Sequence, residues 1–301
     1  MEKKIVPHLW FDKEAKEAAE FYASAFPKSK ITNVSTIHDT PSGDCDIVSF
    51  ELSGQPFMAI SAGPIFKFNP SVSFLLNFDP SKDKKAGERL DELWKKLSSG
   101  GKVLMPLQKY PFSERYGWLS DKYGVSWQLM LSDPKGGERP FIVPFLMFVG
   151  PVCGRAEEAA GFYLSVFKKS KLGAAVRYGK GQEPDKEGTM MFSDFMVEGQ
   201  WFAAMDSAYP HKFAFNEAIS FIVRCKDQKE IDYYWKKLSA VPEAEQCGWL
   251  KDKYGLSWQI VPAEMDKYMQ GPPEKVARVT EAFLKMKKFD IARLKKAYEG
   301  K

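Results

Sequence analysis

The chain has 301 residues, which at roughly 100–200 residues per domain indicates two domains or one large one. A composition that is 44% hydrophobic and 14% aromatic excludes a disordered chain, a collagen-like fibre and a disulfide-stapled miniprotein. The 44 Lys+Arg against 39 Asp+Glu leave a net charge of +5 with no block of like charges, which argues against a nucleic-acid or acidic-membrane partner.

The N-terminus runs from Lys3-Lys4 directly into a short apolar strand, without the apolar core or small-residue cleavage site of a secretory leader. That strand, Val6–Phe11, is followed by a helix over Lys13–Phe26 with Ala15, Ala18, Ala19, Tyr22 and Phe26 on one face, then by strands at Ile31–Ile37, Asp46–Leu52 and Phe57–Ser61. The order then restarts. Val72–Phe78 is a strand, Lys84–Leu97 a helix with Leu90, Leu93, Trp94 and Leu97 inward, and Lys102–Leu107, Gly117–Leu119 and Val125–Leu131 are strands. Turn residues fill Ser132–Pro140, and beyond them the whole pattern repeats. ERYGWLSDKYGVSWQLM at 114–130 matches EQCGWLKDKYGLSWQIV at 245–261 at 11 of 17 positions. Upstream, Ala18-Ala19-Glu20-Phe21-Tyr22 answers Ala159-Ala160-Gly161-Phe162-Tyr163, and Trp94-Lys95-Lys96-Leu97-Ser98 answers Trp235-Lys236-Lys237-Leu238-Ser239. These upstream pairs are 141 residues apart and the tryptophan motifs 131, so the second copy lacks ten residues between Ser239 and Glu245. Two modules follow, 1–133 and 141–270, each made of two β-α-β-β-β units, and a tail over 271–301 reads as two short amphipathic helices, the last capped by Asp290. No stretch approaches 18 apolar residues, so no membrane span is expected. Cys45, Cys153, Cys225 and Cys247 lie far apart with no C-x-x-C pair, which leaves no zinc ribbon or dithiol motif and suits a cytoplasmic protein.

Four such units with an A-E-x-A-x-x-F-Y helix after the first strand resemble the vicinal oxygen chelate superfamily, the glyoxalase/bleomycin-resistance/dioxygenase fold. WFDKEAKEAAEFYASAFPKSKI at 10–31, CGWLKDKYGLSWQIVP at 247–262 and KMKKFDI at 285–291 are similar to the PhnB-like branch, often labelled 3-demethylubiquinone-9 3-methyltransferase. The resemblance implies an α+β architecture of open cups, two modules joined in one continuous sheet as an internal pseudo-dimer, with a further homodimer left open. Metal-using relatives place ligands on the first, fourth, fifth and eighth strands. Those places hold His8, Ser61, Ser73 and Gln128 in the first copy and Phe145, Asp206, Ser220 and Gln259 in the second. A divalent ion prefers imidazole, carboxylate or thiolate, and neither separate modules nor an exchange of halves brings together more than two plausible ligands. No metal site and no cofactor are therefore assigned.

Each candidate has a structural reading beside the functional one. His8 is a core histidine or a ligand contact. Gln128 and Gln259 follow Ser-Trp in a strand, so alternation turns them into a cup if the tryptophan faces away, where the amide either orients a ligand or ties strands together. Trp118 and Trp249 wall a pocket or belong to a core, and Asp206 is a base near a cavity or a solvated carboxylate. The only G-x-G, Gly179-Lys180-Gly181, sits in a polar hairpin-like run, so the methyltransferase label has no glycine-rich loop behind it. The expected function is binding of a small molecule in a cup, lined from among His8, Ser61, Ser73, Trp118, Gln128, Asp206, Ser220, Trp249 and Gln259. The alternative is a metal-dependent lyase, isomerase or dioxygenase. The missing ten residues predict unlike cups, one enclosed beside Gln128 and Trp118 and one shallow with an acidic group.

Overall fold

A computed structural model describes residues 3–40 and 42–301. The first module comprises β1 (Ile5–Phe11), α1 (Ala15–Ala25), β2 (Lys30–Thr40), β3 (Gly43–Leu52), β4 (Gln55–Ser61), β5 (Val72–Phe78), α2 (Ala86–Ser98), β6 (Lys102–Tyr110), β7 (Ser113–Ser120) and β8 (Ser126–Leu131). The second comprises β9 (Ile142–Val149), α3 (Ala156–Val166), β10 (Lys171–Arg177), β11 (Met190–Val197), β12 (Gln200–Ser207), β13 (Ile219–Cys225), α4 (Gln228–Leu238), β14 (Trp249–Lys251) and β15 (Ser257–Pro262). Three tail helices follow: α5 (Met265–Met269), α6 (Pro273–Leu284) and α7 (Ile291–Glu299). The sequence pattern anticipates α6 and α7 and misses α5, whose single turn is too short to show a period. Asp290 does cap α7, its carboxylate accepting from the Arg293 amide at 3.0 Å.

The strands form two sheets rather than one continuous sheet. One runs β14-β15-β13-β1-β4-β3-β2 and the other β10-β11-β12-β9-β5-β8-β7-β6. Strand β5 is flanked by β8 and β9, so no edge is left for β4 to continue into it. Each sheet therefore joins the first half of one module to the second half of the other, through antiparallel seams in which His8 faces Ser220 and Ser73 faces Phe145. Neither cup belongs to one copy, and the two modules cannot be pulled apart without opening both.

Helices α1 and α4 lie on the first sheet, α2 and α3 on the second, and the helix-bearing faces of both sheets share a single core. Alternation fixes which strand residues enter it. Phe74, Leu76, Trp127 and Leu129 do, while Leu75 sits on the opposite face. On the helices the i, i+3, i+4 and i+7 spacing of Ala15, Ala18, Ala19 and Tyr22 delivers one fully buried stripe. No helix among the described residues is long and apolar enough to cross a membrane.

Candidate functional site: two unlike cups

The cup of the first sheet holds a cavity of about 460 Å³. Alternate residues of β1, namely Val6, His8 and Trp10, face it together with Met58 and Ile60 of β4, Ile222 of β13, Trp249 of β14 and Gln259 of β15. His8 is 3% exposed, and its Nδ1 has no hydrogen-bond partner among the described residues. Burial lowers its pKa to about 3, so the imidazole stands neutral at physiological pH. The Trp249 ring meets it edge-on at 5.3 Å, and Trp10 meets Trp249 at 5.9 Å. Gln259 donates from Nε2 to Ser220 Oγ at 2.9 Å, and no donor reaches its Oε1 among the described residues. His8, Ser220, Trp249 and Gln259 are thus gathered from both copies by the β1–β13 seam.

This is the cup expected to be shallow, because it contains the copy that lost ten residues. The tail supplies what is missing. Where β6 pairs with β7 in the other cup, residues 286–287 lie against the 247–248 backbone, with Cys247 N–H donating to Met286 O and Gly248 N–H to Lys287 O, both at 2.7 Å. Met265 and Met269 of α5, Phe283 of α6, and Phe289 then line the cavity. Gly248, at φ +84°, lets Phe289 approach so closely that a Cβ there would lie 2.6 Å from its ring.

The other cup is filled by its own side chains. Leu75, Tyr116, Val143, Phe145, Trp201 and Ala203 form a buried cluster against which Met105, Trp118, Met130 and Phe192 pack. Gln128 is saturated there, donating to Ser73 Oγ at 2.8 Å and accepting from the Tyr116 hydroxyl at 2.8 Å. Trp118 donates to Ser126 Oγ at 2.8 Å. The enclosed cavity expected beside Gln128 and Trp118 is replaced by packing, and the residue that separates the two glutamines is Tyr116, whose counterpart is Cys247. A wider open groove of about 1150 Å³ runs along the linker, past Arg89, Lys96 and Arg139, outside both cups.

Ser61 and Asp206 take equivalent structural roles at helix starts. Ser61 Oγ accepts from Ala15 N–H at 3.1 Å. The Asp206 carboxylate accepts from the amides of Gly154 (2.7 Å), Ala156 (3.1 Å) and Met190 (3.0 Å). Burial raises its pKa against those donors, but with both oxygens engaged by the backbone it is not the acidic group of a cup. The ligand positions therefore do not fit a metal. One cup offers His8 and Gln259 with Ser220 occupied by the amide; the other offers a saturated Gln128, a spent Asp206 and Phe145. Among the described residues no group of three or more His, Cys, Asp or Glu could hold an ion.

Two aspartates that sequence reasoning passed over explain the repeated motif. Asp121 accepts from Tyr22 OH (2.7 Å), Trp127 Nε1 (2.8 Å) and the amides of Tyr123 (2.9 Å) and Val125 (3.0 Å). Asp252 repeats this with Tyr163 (2.7 Å), Trp258 (2.9 Å), Tyr254 (2.9 Å) and Leu256 (3.1 Å). Tyr22 rides on one sheet and Asp121 follows a strand of the other, so each node staples the two halves of a module whose strands lie in different sheets. The signal was present as the shared D-K-Y-G-x-S-W spacing and the F-Y helix.

A paired set of β-α-β-β-β cups with helices on one face is the vicinal oxygen chelate fold. Glyoxalase I from Zea mays shares it over 88% of this chain and 96% of its own, with a TM-score of 0.51 and 12% identity. A family model described as 3-demethylubiquinone-9 3-methyltransferase matches residues 3–130 and again 140–261, and the chain belongs to that PhnB-like family, carrying it twice. Similar solved structures include the PhnB protein from Bacillus cereus, at 38% identity over 43% of this chain and 100% of that one with a TM-score of 0.39. A protein from Staphylococcus aureus is 32% identical over 44% of this chain and 100% of that one, with a TM-score of 0.18. No curated protein matches.

Proposed function

We propose that the protein binds a small, largely apolar molecule in the cup closed by its C-terminal tail, with His8 and Gln259 as the polar contacts and Trp10 and Trp249 as aromatic walls. The observation that carries this is a mainly apolar cavity of about 460 Å³ holding a buried imidazole that has no hydrogen-bond partner among the described residues. A volume of that order suits a compact organic ligand, and a buried polar atom left unpaired costs stability that a ligand hydrogen bond would recover. Methyl transfer, which the family description names, lacks such support here: Gly179–Gly181 joins strand β10 to strand β11 and opens no helix on which a nucleotide-like cofactor could rest. Four free thiols accord with action in a reducing compartment such as the cytoplasm.

The test is titration with N-phenyl-1-naphthylamine, an uncharged flat probe, read by its own fluorescence and by quenching of tryptophan. One molecule should bind per chain, Met58→Trp should abolish binding by filling the cavity, and Gln128→Leu should leave it unchanged. Unsaturable binding, or binding indifferent to Met58→Trp, would overturn the proposal.

A further inference from the structure

Resting on that reading of the cavity, we infer that its ligand is an uncharged hydroxyaromatic molecule of the phenol class, held by a hydroxyl placed between His8 and Gln259. Three features of the lining converge on this chemistry.

The first is charge. Of the ionic side chains at the cavity, Arg224 is paired with Asp266 and Glu51 lies 3.7 Å from Lys30, while Lys3 donates to the neutral amide of Gln55 and burial lowers its pKa. Among the described residues a ligand ammonium would find no unmatched carboxylate and a ligand carboxylate only Lys3, so either charge would give up its hydration for little return. An uncharged ligand loses far less.

The second is the hydrogen-bonding valence left over. The Gln259 amide is anchored through Nε2 on Ser220 Oγ, which leaves Oε1, an acceptor only. Neither ring nitrogen of His8 has a partner among the described residues; Nδ1 is fully buried, so Nε2 is the one a ligand can reach, and it donates or accepts according to the ring's tautomer. A single hydroxyl meets both when that nitrogen carries the ring proton, donating its own proton to Oε1 and accepting from the imidazole N–H. A ketone or ether oxygen cannot satisfy Oε1, and a carboxylate would face it lone pair to lone pair.

The third is shape. Trp249 stands edge-on to His8 and, with Trp10, Phe283 and Phe289, gives the cavity aromatic walls on the strand side and the tail side. Flat rings pack against such walls in offset or edge-to-face contact better than branched aliphatic chains do. The same features that make the other cup a core, with Tyr116 occupying the glutamine and Trp201 and Phe145 occupying the space, show what a hydroxyaromatic group beside such a glutamine looks like: Tyr116 donates to Gln128 Oε1 at 2.8 Å. In the first sheet's cup Cys247 stands at that position, and the phenol that the chain provides for Gln128 is left for a ligand to provide for Gln259.

Calorimetric titration at neutral pH with 4-propylphenol, 4-propylanisole and 4-propylbenzoate tests the class. The phenol should bind at least tenfold tighter than either analogue. His8→Phe and Gln259→Leu should each shrink the preference over the anisole to less than threefold, while the anisole's own affinity stays within about threefold of its wild-type value. The two variants guard against either one misfolding. Anisole or benzoate binding as tightly as the phenol overturns the inference, as does a phenol that fails to bind a protein that still takes up N-phenyl-1-naphthylamine; in both cases the cavity proposal stands. Failure of the naphthylamine as well removes both.

Discussion

Replacing His8 by leucine should flatten the acid side of the stability profile by a calculable amount. In the folded chain burial holds the His8 pKa at about 3, against an ordinary value of 6.5. Between those values the unfolded chain binds a proton that the folded chain refuses, so stability is fully present above pH 6.5 and drains away as pH falls. At pH 5 the group is 1.5 units below its ordinary pKa, and at about 1.4 kcal/mol per unit the wild type loses about 2 kcal/mol between pH 7 and pH 5 that the His8→Leu variant keeps. Asp121 and Asp252 act with the opposite sign, because burial raises their pKa values and the folded chain then takes up protons first. They are common to both proteins and cancel in the difference, as does His211. Urea unfolding of ligand-free protein at pH 7, 6 and 5, followed by tryptophan fluorescence, measures that difference directly. The intertwined sheets favour one cooperative transition. Stability curves that run parallel from pH 7 to pH 5 would refute the claim that His8 is held neutral in a dry cavity.

Asp252→Ala leaves a tyrosine hydroxyl, an indole N–H and two amides without their acceptor, and should cost about 3–5 kcal/mol in urea unfolding; Tyr163→Phe, which removes one donor, should cost about 1–2 kcal/mol. The two glutamines should separate cleanly: Gln128→Leu strands Tyr116 and Ser73 and lowers stability by about 1–3 kcal/mol with naphthylamine binding untouched, whereas Gln259→Leu weakens 4-propylphenol binding and changes stability less. Gly248→Ala adds a Cβ at φ +84° and against Phe289, so the tail should loosen, and trypsin should cut after Lys285, Lys287 and Lys288 faster than in the wild type.

The module count, the β-α-β-β-β order and the alternation along β8 and β15 were legible in the sequence because each rests on a local period. Trp127 and Trp258 do face the helices, and Gln128 and Gln259 do face the cups, as alternation requires. What the periods could not carry was the partnership of strands. Val6–Phe11 reads the same whether it seams to its own module or to the other, and only the observed pairing of His8 with Ser220 decides it. The candidate site failed to resolve for a related reason. Whether Gln128 or Gln259 is available depends on Tyr116 against Cys247, one of the six differences within the 17-residue motif. Whether a cup is closed depends on a tail that has no counterpart in the first copy. Asp121 and Asp252 carry no signal of their own in the sequence, because an aspartate before Lys-Tyr-Gly reads as a turn residue and its Tyr22 or Tyr163 partner lies about 90–100 residues upstream on another element.

The exchange of halves also explains how two similar copies build two unlike cups. Because every cup takes β1–β4 or β9–β12 from one copy and β13–β15 or β5–β8 from the other, a change in either copy alters a cup it shares rather than one it owns. The ten residues that the second copy lacks before Glu245 leave the cup that contains His8 without a β6-like wall, although His8 lies in the other copy. The tail could restore that wall because the exposed 247–248 backbone kept its amides free to pair with Met286 and Lys287. That wall is made of Met265, Met269, Phe283 and Phe289, where β6 contributes Met105 and Tyr110 to the other cup. The tail thus encloses an imidazole that has no partner among the described residues, while the other cup, with Tyr116 on its glutamine, packs its own side chains as core.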